Sequence, residues 1–145
     1  MLETPHAILG ATIATAIPNP TISLPLAFAS HFILDMVPHW NPHINTEINT
    51  YGKLTNRTFL IIGLDVVLAL TTTILISKSN PYAYIGSFLA ILPDAVEAPY
   101  FIWGWKNKFL TIWMKFQKAI QSDTNVFWGL LTQIAVLVAC YFWIF

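Results

Sequence analysis

Residues 126–145 are VFWGLLTQIAVLVACYFWIF, a run without a single Asp, Glu, Lys or Arg. A second apolar run, residues 59–77, is FLIIGLDVVLALTTTILIS and contains one acid, Asp65. A bilayer span needs about 20 predominantly apolar residues, so each run is long enough to cross a membrane as a helix. These two runs decide the fold class, and we interpret the chain as an all-α integral membrane protein.

The composition of the whole chain agrees with this interpretation. Its 145 residues include only seven basic and seven acidic side chains, and 56% of them are hydrophobic. An ordinary soluble domain carries roughly a quarter charged residues, which this chain does not approach. The formal net charge is zero, so the sequence gives no reason to expect a nucleic-acid partner. Cys140 is the only cysteine, which excludes an intrachain disulfide.

Proline, glycine and asparagine divide the chain into further helices. We expect a single domain, residues 1–145, that forms a bundle of about five membrane helices, the first two of them short or hairpin-like, plus one interfacial amphipathic helix. The predicted helices are 5–17, 21–37, 57–77, 82–105, 107–121 (interfacial) and 124–145. Pro93 and Pro99 predict a kink or a break in the fourth of these, and residues 40–56 are expected to form a polar loop.

The basic residues predict the orientation in the membrane. With the first two helices as an up-and-down pair, six of the seven lysines and arginines fall on the side of the N-terminus and only Lys78 falls on the other. The positive-inside rule then places the N-terminus in the cytoplasm and the C-terminus outside, in a multi-pass protein of the cell membrane.

Four acids lie within apolar helical stretches, at Asp35, Asp65, Asp94 and Glu97. An ionised carboxylate at such a position is costly unless a positive charge accompanies it, and no lysine or arginine lies in these stretches. The possible counter-charges are protons, a protonated histidine or a bound metal ion.

Histidines are spaced to favour the metal ion. His31, Asp35 and His39 follow each other at intervals of four, which places them on one stripe of the second helix, and His6 begins the first helix nearby. Counted from the cytoplasmic ends of their helices, His31, Asp65 and Glu97 all lie about 12 to 14 Å deep. Mixed imidazole and carboxylate ligands suit zinc, manganese or iron, with zinc the first choice here.

Structural interpretations of the same residues remain open. His31 and Asp35 are also spaced for an unmetallated hydrogen bond on one helix face. Asp94 could be bonded to backbone freed by Pro93, and so could Glu97. Asp65 could be a protonated carboxyl bonded to a neighbouring helix.

Three short motifs carry a resemblance to a known family. They are Thr4-Pro5-His6, the segment HFILDMVPHW at residues 31–40, and Leu92-Pro93-Asp94. With these motifs the chain resembles small bacterial multi-pass inner-membrane proteins of the membrane-bound metal-dependent hydrolase type. The resemblance implies a metal site built from His6, His31, Asp35, His39 and Asp94. The chain lacks the Arg-Gly-containing double-histidine loop of the better-known branch of that family.

Two functions are therefore expected. The first is a metal-dependent hydrolase that acts on a lipid or lipid-linked ester or phosphoester near the cytoplasmic leaflet, with Glu97 as general base and Asp65 as a further ligand or a residue that supports one. The alternative is a non-enzymatic membrane protein: a proton or metal-ion carrier, or a bundle stabilised by a metal. The expected partners are a membrane lipid and, for a transport pathway, further copies of the chain in a homo-oligomer.

Overall fold

The computed structural model describes residues 1–144 and contains only helices as regular secondary structure in that range, which confirms the all-α class. The helices are α1 (Glu3–Ala16), α2 (Pro20–Met36), α3 (Ile44–Tyr51), α4 (Asn56–Ser77), α5 (Pro81–Ala95), α6 (Ala98–Trp103), α7 (Lys108–Ile120) and α8 (Val126–Ile144).

Most helix ends lie within two residues of the sequence prediction, and two regions differ from it. The predicted helix 82–105 is broken into α5 and α6, as its prolines indicated: Pro99 has no N–H to continue the ladder, and α5 ends at Ala95. The loop predicted for residues 40–56 is wrong between Ile44 and Tyr51, where α3 forms. Gly52 ends this helix at a φ of 68°, a left-handed conformation that glycine adopts without strain.

The centre of the bundle is α1, which packs against α5, α4, α2 and α8. Almost every residue from Thr4 to Ala14 is buried, so this helix has no solvent face. Gly10 and Gly86 let α1 and α5 approach until their backbones touch: a Cβ added to Gly10 would lie 2.3 Å from the carbonyl oxygen of Gly86. Small residues at helix contacts of this kind are typical of membrane bundles. The close approach brings the first turn of α1 near the end of α5.

Two of the described helices, α4 and α8, are long and apolar enough to cross a membrane, with mean hydropathies of 2.4 and 1.8 over their most apolar windows. Their outer faces are exposed and carry large apolar side chains, including Leu75, which is 68% exposed, and Phe142, which is 76% exposed. Soluble monomers rarely present apolar patches of this extent to water, and such patches mark contact with a membrane or another protein.

The amphipathic helix α7 lies against α2, where Trp113 and Phe116 contact the ring of Phe32. The loop after α7 is tied to the end of α2 by backbone hydrogen bonds. The N–H of Ser122 donates to the backbone carbonyl of Asp35, and the N–H of His39 donates to the backbone carbonyl of Ser122. This pairing fixes the extended segment that carries His39.

Candidate metal centre

All five predicted ligands come together at one end of the bundle. His31 and Asp35 lie one turn apart on α2, His39 follows that helix, His6 lies on α1, and Asp94 lies near the end of α5. The three histidines are 0% exposed and Asp35 is 1% exposed. The Asp94 side chain is 27% exposed, which makes it the accessible member of the group.

Hydrogen bonds define the tautomers of two histidines. Nδ1 of His31 lies 2.8 Å from the carbonyl oxygen of Ala90, and Nδ1 of His39 lies 2.8 Å from that of Val37. A carbonyl only accepts, so each Nδ1 carries the proton and donates it. In a neutral ring, Nε2 then has a free lone pair. Metal-bound histidines are held in the same way, through a hydrogen bond from the nitrogen that does not bind the metal.

The Nε2 atoms of these two histidines, and that of His6, face carboxylate oxygens. Nε2 of His31 is 3.5 Å from Oδ2 of Asp35 and 3.6 Å from Oδ1 of Asp94. Nε2 of His39 is 3.7 Å from Oδ1 of Asp35, and Nε2 of His6 is 3.4 Å from the same oxygen. Buried lone pairs and carboxylate oxygens repel each other unless a cation lies between them.

The distances indicate which cation fits. A proton shared between imidazole and carboxylate gives a charge-assisted hydrogen bond of about 2.7 to 2.9 Å, which is shorter than any of the four distances. Atoms bound about 2.1 Å from a tetrahedral metal ion lie about 3.4 Å from each other. The separations of 3.4–3.7 Å therefore suit ligands around a metal ion better than a proton-linked pair.

His6 strengthens this interpretation. Its ring stacks on that of His31 with centroids 4.2 Å apart, and neither of its ring nitrogens has a hydrogen-bond partner although both are buried. One ligand atom each from His6, His31 and Asp94 lies within 4.8 Å of the others. The amino group of Met1 also contacts Oδ1 of Asp35, whereas Oδ2 faces His31.

Asp94 connects the cluster to a pocket of about 530 Å³ that it also lines. The amide of Gln117 donates to Oδ1 of Asp94 over 3.1 Å and orients the carboxylate. Glu97, one turn beyond Asp94 and at the break between α5 and α6, lines the same pocket. Its Oε1 is buried without a hydrogen-bond partner, so it is free to accept a proton from a group in the pocket.

Asp65 has surroundings of another kind. Its carboxylate accepts hydrogen bonds from the backbone N–H groups of Glu3 and Thr4, at 2.6 and 3.2 Å, and from the Thr4 hydroxyl at 2.6 Å. It thus caps the first turn of α1 from α4, where the helix dipole also favours a negative charge. Its predicted catalytic role stays a prediction, and these bonds give it a structural one.

Sequence reasoning missed two residues near the site, Gln117 and Glu3. Gln117 is 5% exposed and bonds Asp94, although the sequence placed it on an interfacial helix. Glu3 lines the pocket, and its Oε2 is buried without a hydrogen-bond partner. A polar residue on the inner stripe of α7 was the available signal for Gln117. Glu3 gave none, because an acid in the first turn of a helix is ordinary.

The comparisons with known proteins give no assignment: no family model, no curated protein and no solved structure matches this chain. The similarity to membrane-bound metal-dependent hydrolases stays a prediction from three short motifs. The geometry of the cluster and its pocket therefore carries the functional argument.

Proposed function

We propose that the protein is a metal-dependent hydrolase of the bacterial cell membrane that acts on a lipid or lipid-linked ester near the cytoplasmic leaflet. The observation that carries this proposal is the set of histidine Nε2 atoms that face Asp35 and Asp94 at 3.4–3.7 Å. His6, His31 and Asp94 are the proposed ligands, with Asp35 and His39 completing the set. Zinc is the first candidate, and manganese or iron the next.

The proposed chemistry uses the open side of this set. A bound divalent metal would polarise a scissile carbonyl and lower the pKa of a bound water. Asp94 is the ligand next to the pocket, so a substrate would approach from that side. Glu97 lines the same space and is the proposed general base.

The proposed membrane placement rests on α4 and α8. Their exposed apolar faces support insertion, and the distribution of lysines supports an N-terminus in the cytoplasm and a C-terminus outside. A reporter enzyme fused after residue 145 tests this orientation. A reporter that works only outside the cytoplasm is expected to be active at that position. Activity of a cytoplasm-specific reporter at that position would overturn the orientation.

A metal that only stabilises the bundle is the second candidate. It is favoured by the complete burial of His6, His31 and His39, which tie α1, α2 and the segment after α2 together. A structural site has a closed ligand set, whereas a catalytic site keeps a position for water.

Hydrolysis of p-nitrophenyl decanoate by the zinc-loaded protein in detergent separates the two candidates. The hydrolase proposal predicts turnover that falls in both His31→Ala and Glu97→Gln. Only His31→Ala should lose metal, and Glu97→Gln should keep its metal while losing roughly 10²-fold or more in rate. Full metal occupancy without any turnover would favour the structural metal.

A further inference from the structure

The pocket beside the metal cluster has apolar walls and one polar end. Its walls come from apolar residues of four helices, and its volume of about 530 Å³ lies within the range of sites for small ligands. The apolar lining includes Phe59, Ile62, Val66, Ile91, Phe101 and Met114. Asp94 and Glu97 lie at the polar end. A ligand that fits this arrangement has one apolar chain and a polar head directed toward Asp94.

The charged side chains that line the pocket are mostly acidic, and the ammonium group of Met1, which also lines it, is paired with Asp35. Four carboxylates line the pocket: Glu3, Asp65, Asp94 and Glu97. Among the lining residues, the one lysine or arginine is Lys118. Its side chain is 62% exposed, and its Nζ is bonded to Asp123, which does not line the pocket. The pocket therefore offers a phosphate no arginine fork and no unpaired lysine of its own.

A bound metal would not reverse this balance. A divalent ion together with the ammonium group of Met1, which is paired with Oδ1 of Asp35, would stand against Asp35 and Asp94 and leave one positive charge, whereas three further carboxylates, Glu3, Asp65 and Glu97, line the pocket. Of these three carboxylates, Asp65 is bonded to the first turn of α1, whereas Oε1 of Glu97 lies buried without a hydrogen-bond partner. Like charges brought together at an interface cost several kcal/mol. An anionic head group is disfavoured here, and an uncharged ester is not.

We propose that the pocket binds a single-chain amphiphile with an uncharged head, and that the bond cleaved is a carboxyl ester such as that of a monoacylglycerol. This inference rests on the hydrolase proposed above and narrows its substrate class. In the reaction, water adds to the acyl carbon and the bond to the alcohol oxygen breaks. Glu97 takes a proton from the water, and a proton is returned to the leaving alcohol, so that a fatty acid and glycerol result.

Two ether analogues that resist hydrolysis test the binding alone. Decylglycerol carries an uncharged head, and decylglycerol phosphate carries an anionic head on the same chain. With zinc-loaded protein in neutral detergent and binding followed by native mass spectrometry, decylglycerol should bind about tenfold or more tightly than its phosphate. In Glu97→Gln, which removes one carboxylate from the polar end, the preference for decylglycerol over its phosphate should narrow.

Two matched variants locate the binding. Val66→Trp fills the pocket from α4 and should abolish decylglycerol binding, whereas Leu68→Trp, exposed on the same helix outside the pocket, should leave it unchanged. Both variants should keep their metal, which shows that they are folded. Equal or tighter binding of the phosphate, or binding insensitive to Val66→Trp, would overturn this inference. Metal-free protein that still prefers decylglycerol would instead overturn the hydrolase and leave the pocket assignment intact.

Discussion

Asp35 and Asp65 are the two buried aspartates of the described chain, and their surroundings differ. The carboxylate of Asp65 meets three hydrogen-bond donors from the first turn of α1, which satisfy it. The carboxylate of Asp35 meets the ammonium group of Met1 at Oδ1 and also the Nε2 atoms of His6, His31 and His39, at least two of which present lone pairs in the neutral ring. Burial alone therefore does not identify a ligand. The atoms that surround the carboxylate separate a cap from a metal site.

The largest effect on stability is expected at the cap. Asp65→Leu leaves the N–H groups of Glu3 and Thr4 buried without a partner, and hydrogen bonds to a charged group contribute about 1.5 to 3 kcal/mol each. The free energy of unfolding in detergent should fall by about 3 kcal/mol or more. Asp65→Asn, which keeps one acceptor oxygen, should lose less.

The metal content of folded Asp65→Asn sharpens the comparison. Because the cap lies outside the proposed ligand set, this variant should bind as much metal per folded molecule as the unchanged protein. A lower metal content per folded molecule in Asp65→Asn would make Asp65 a ligand and remove the distinction from Asp35.

The next largest effect on stability is expected at the metal cluster. His31→Ala should lower the metal content and, with metal in excess, the melting temperature, because binding to the folded state stabilises it by about 2.7 kcal/mol at a hundredfold excess over Kd. In a chelator, where neither protein holds metal, the difference in melting temperature should shrink to the part that comes from the lost hydrogen bond to Ala90 and the vacated space. His43→Ala is the matched control, since His43 lines the pocket but lies outside the cluster. An equal loss of metal in both variants would contradict the ligand assignment.

The sequence predicted more of this arrangement than its composition suggested. The spacing of His31 and Asp35 predicted their common face on α2, and the apolar run around Asp65 predicted α4, because both patterns are local. The prediction that His39 continues this stripe is wrong, since α2 ends at Met36 and His39 reaches the cluster from the extended segment after it. Two features depend on tertiary contacts, whose partners a local pattern does not name. The cap formed by Asp65 depends on where α1 begins in space, and Gln117 reaches Asp94 because α7 lies beside the end of α5, where Trp113 also bonds the carbonyl of Pro93.

Helix α3 is a smaller case in which the local sequence does not predict the structure. Its Asn- and Thr-rich sequence predicts a loop, since these residues are weak helix formers. In the structure, Glu47 of this helix accepts hydrogen bonds from the Thr55 N–H and the Thr58 hydroxyl at the start of α4. Helix α3, which the propensities of its residues do not favour, is thus bonded to the start of α4 through Glu47.

The smallest effect on stability is expected from the contact of Glu47 with Thr55 and Thr58. The hydrogen bond from the Thr55 backbone, followed by that from Thr58, lowers the pKa of Glu47. A depressed folded-state pKa contributes stability that is present above the unfolded pKa and is lost as pH falls through the folded value. Amide protection of Thr55 should therefore decrease in acid below about pH 4.3, the ordinary value for Glu. Glu47→Gln should remove this pH dependence, and its persistence would assign it to another group.

The metal content of the purified protein tests the central claim most directly. Elemental analysis after detergent extraction, without added metal during purification, should find a divalent transition metal near one equivalent per chain, and His31→Ala should lose it while His43→Ala keeps it. Folded protein that contains no metal, and that gains no thermal stability when zinc is added, would contradict the account.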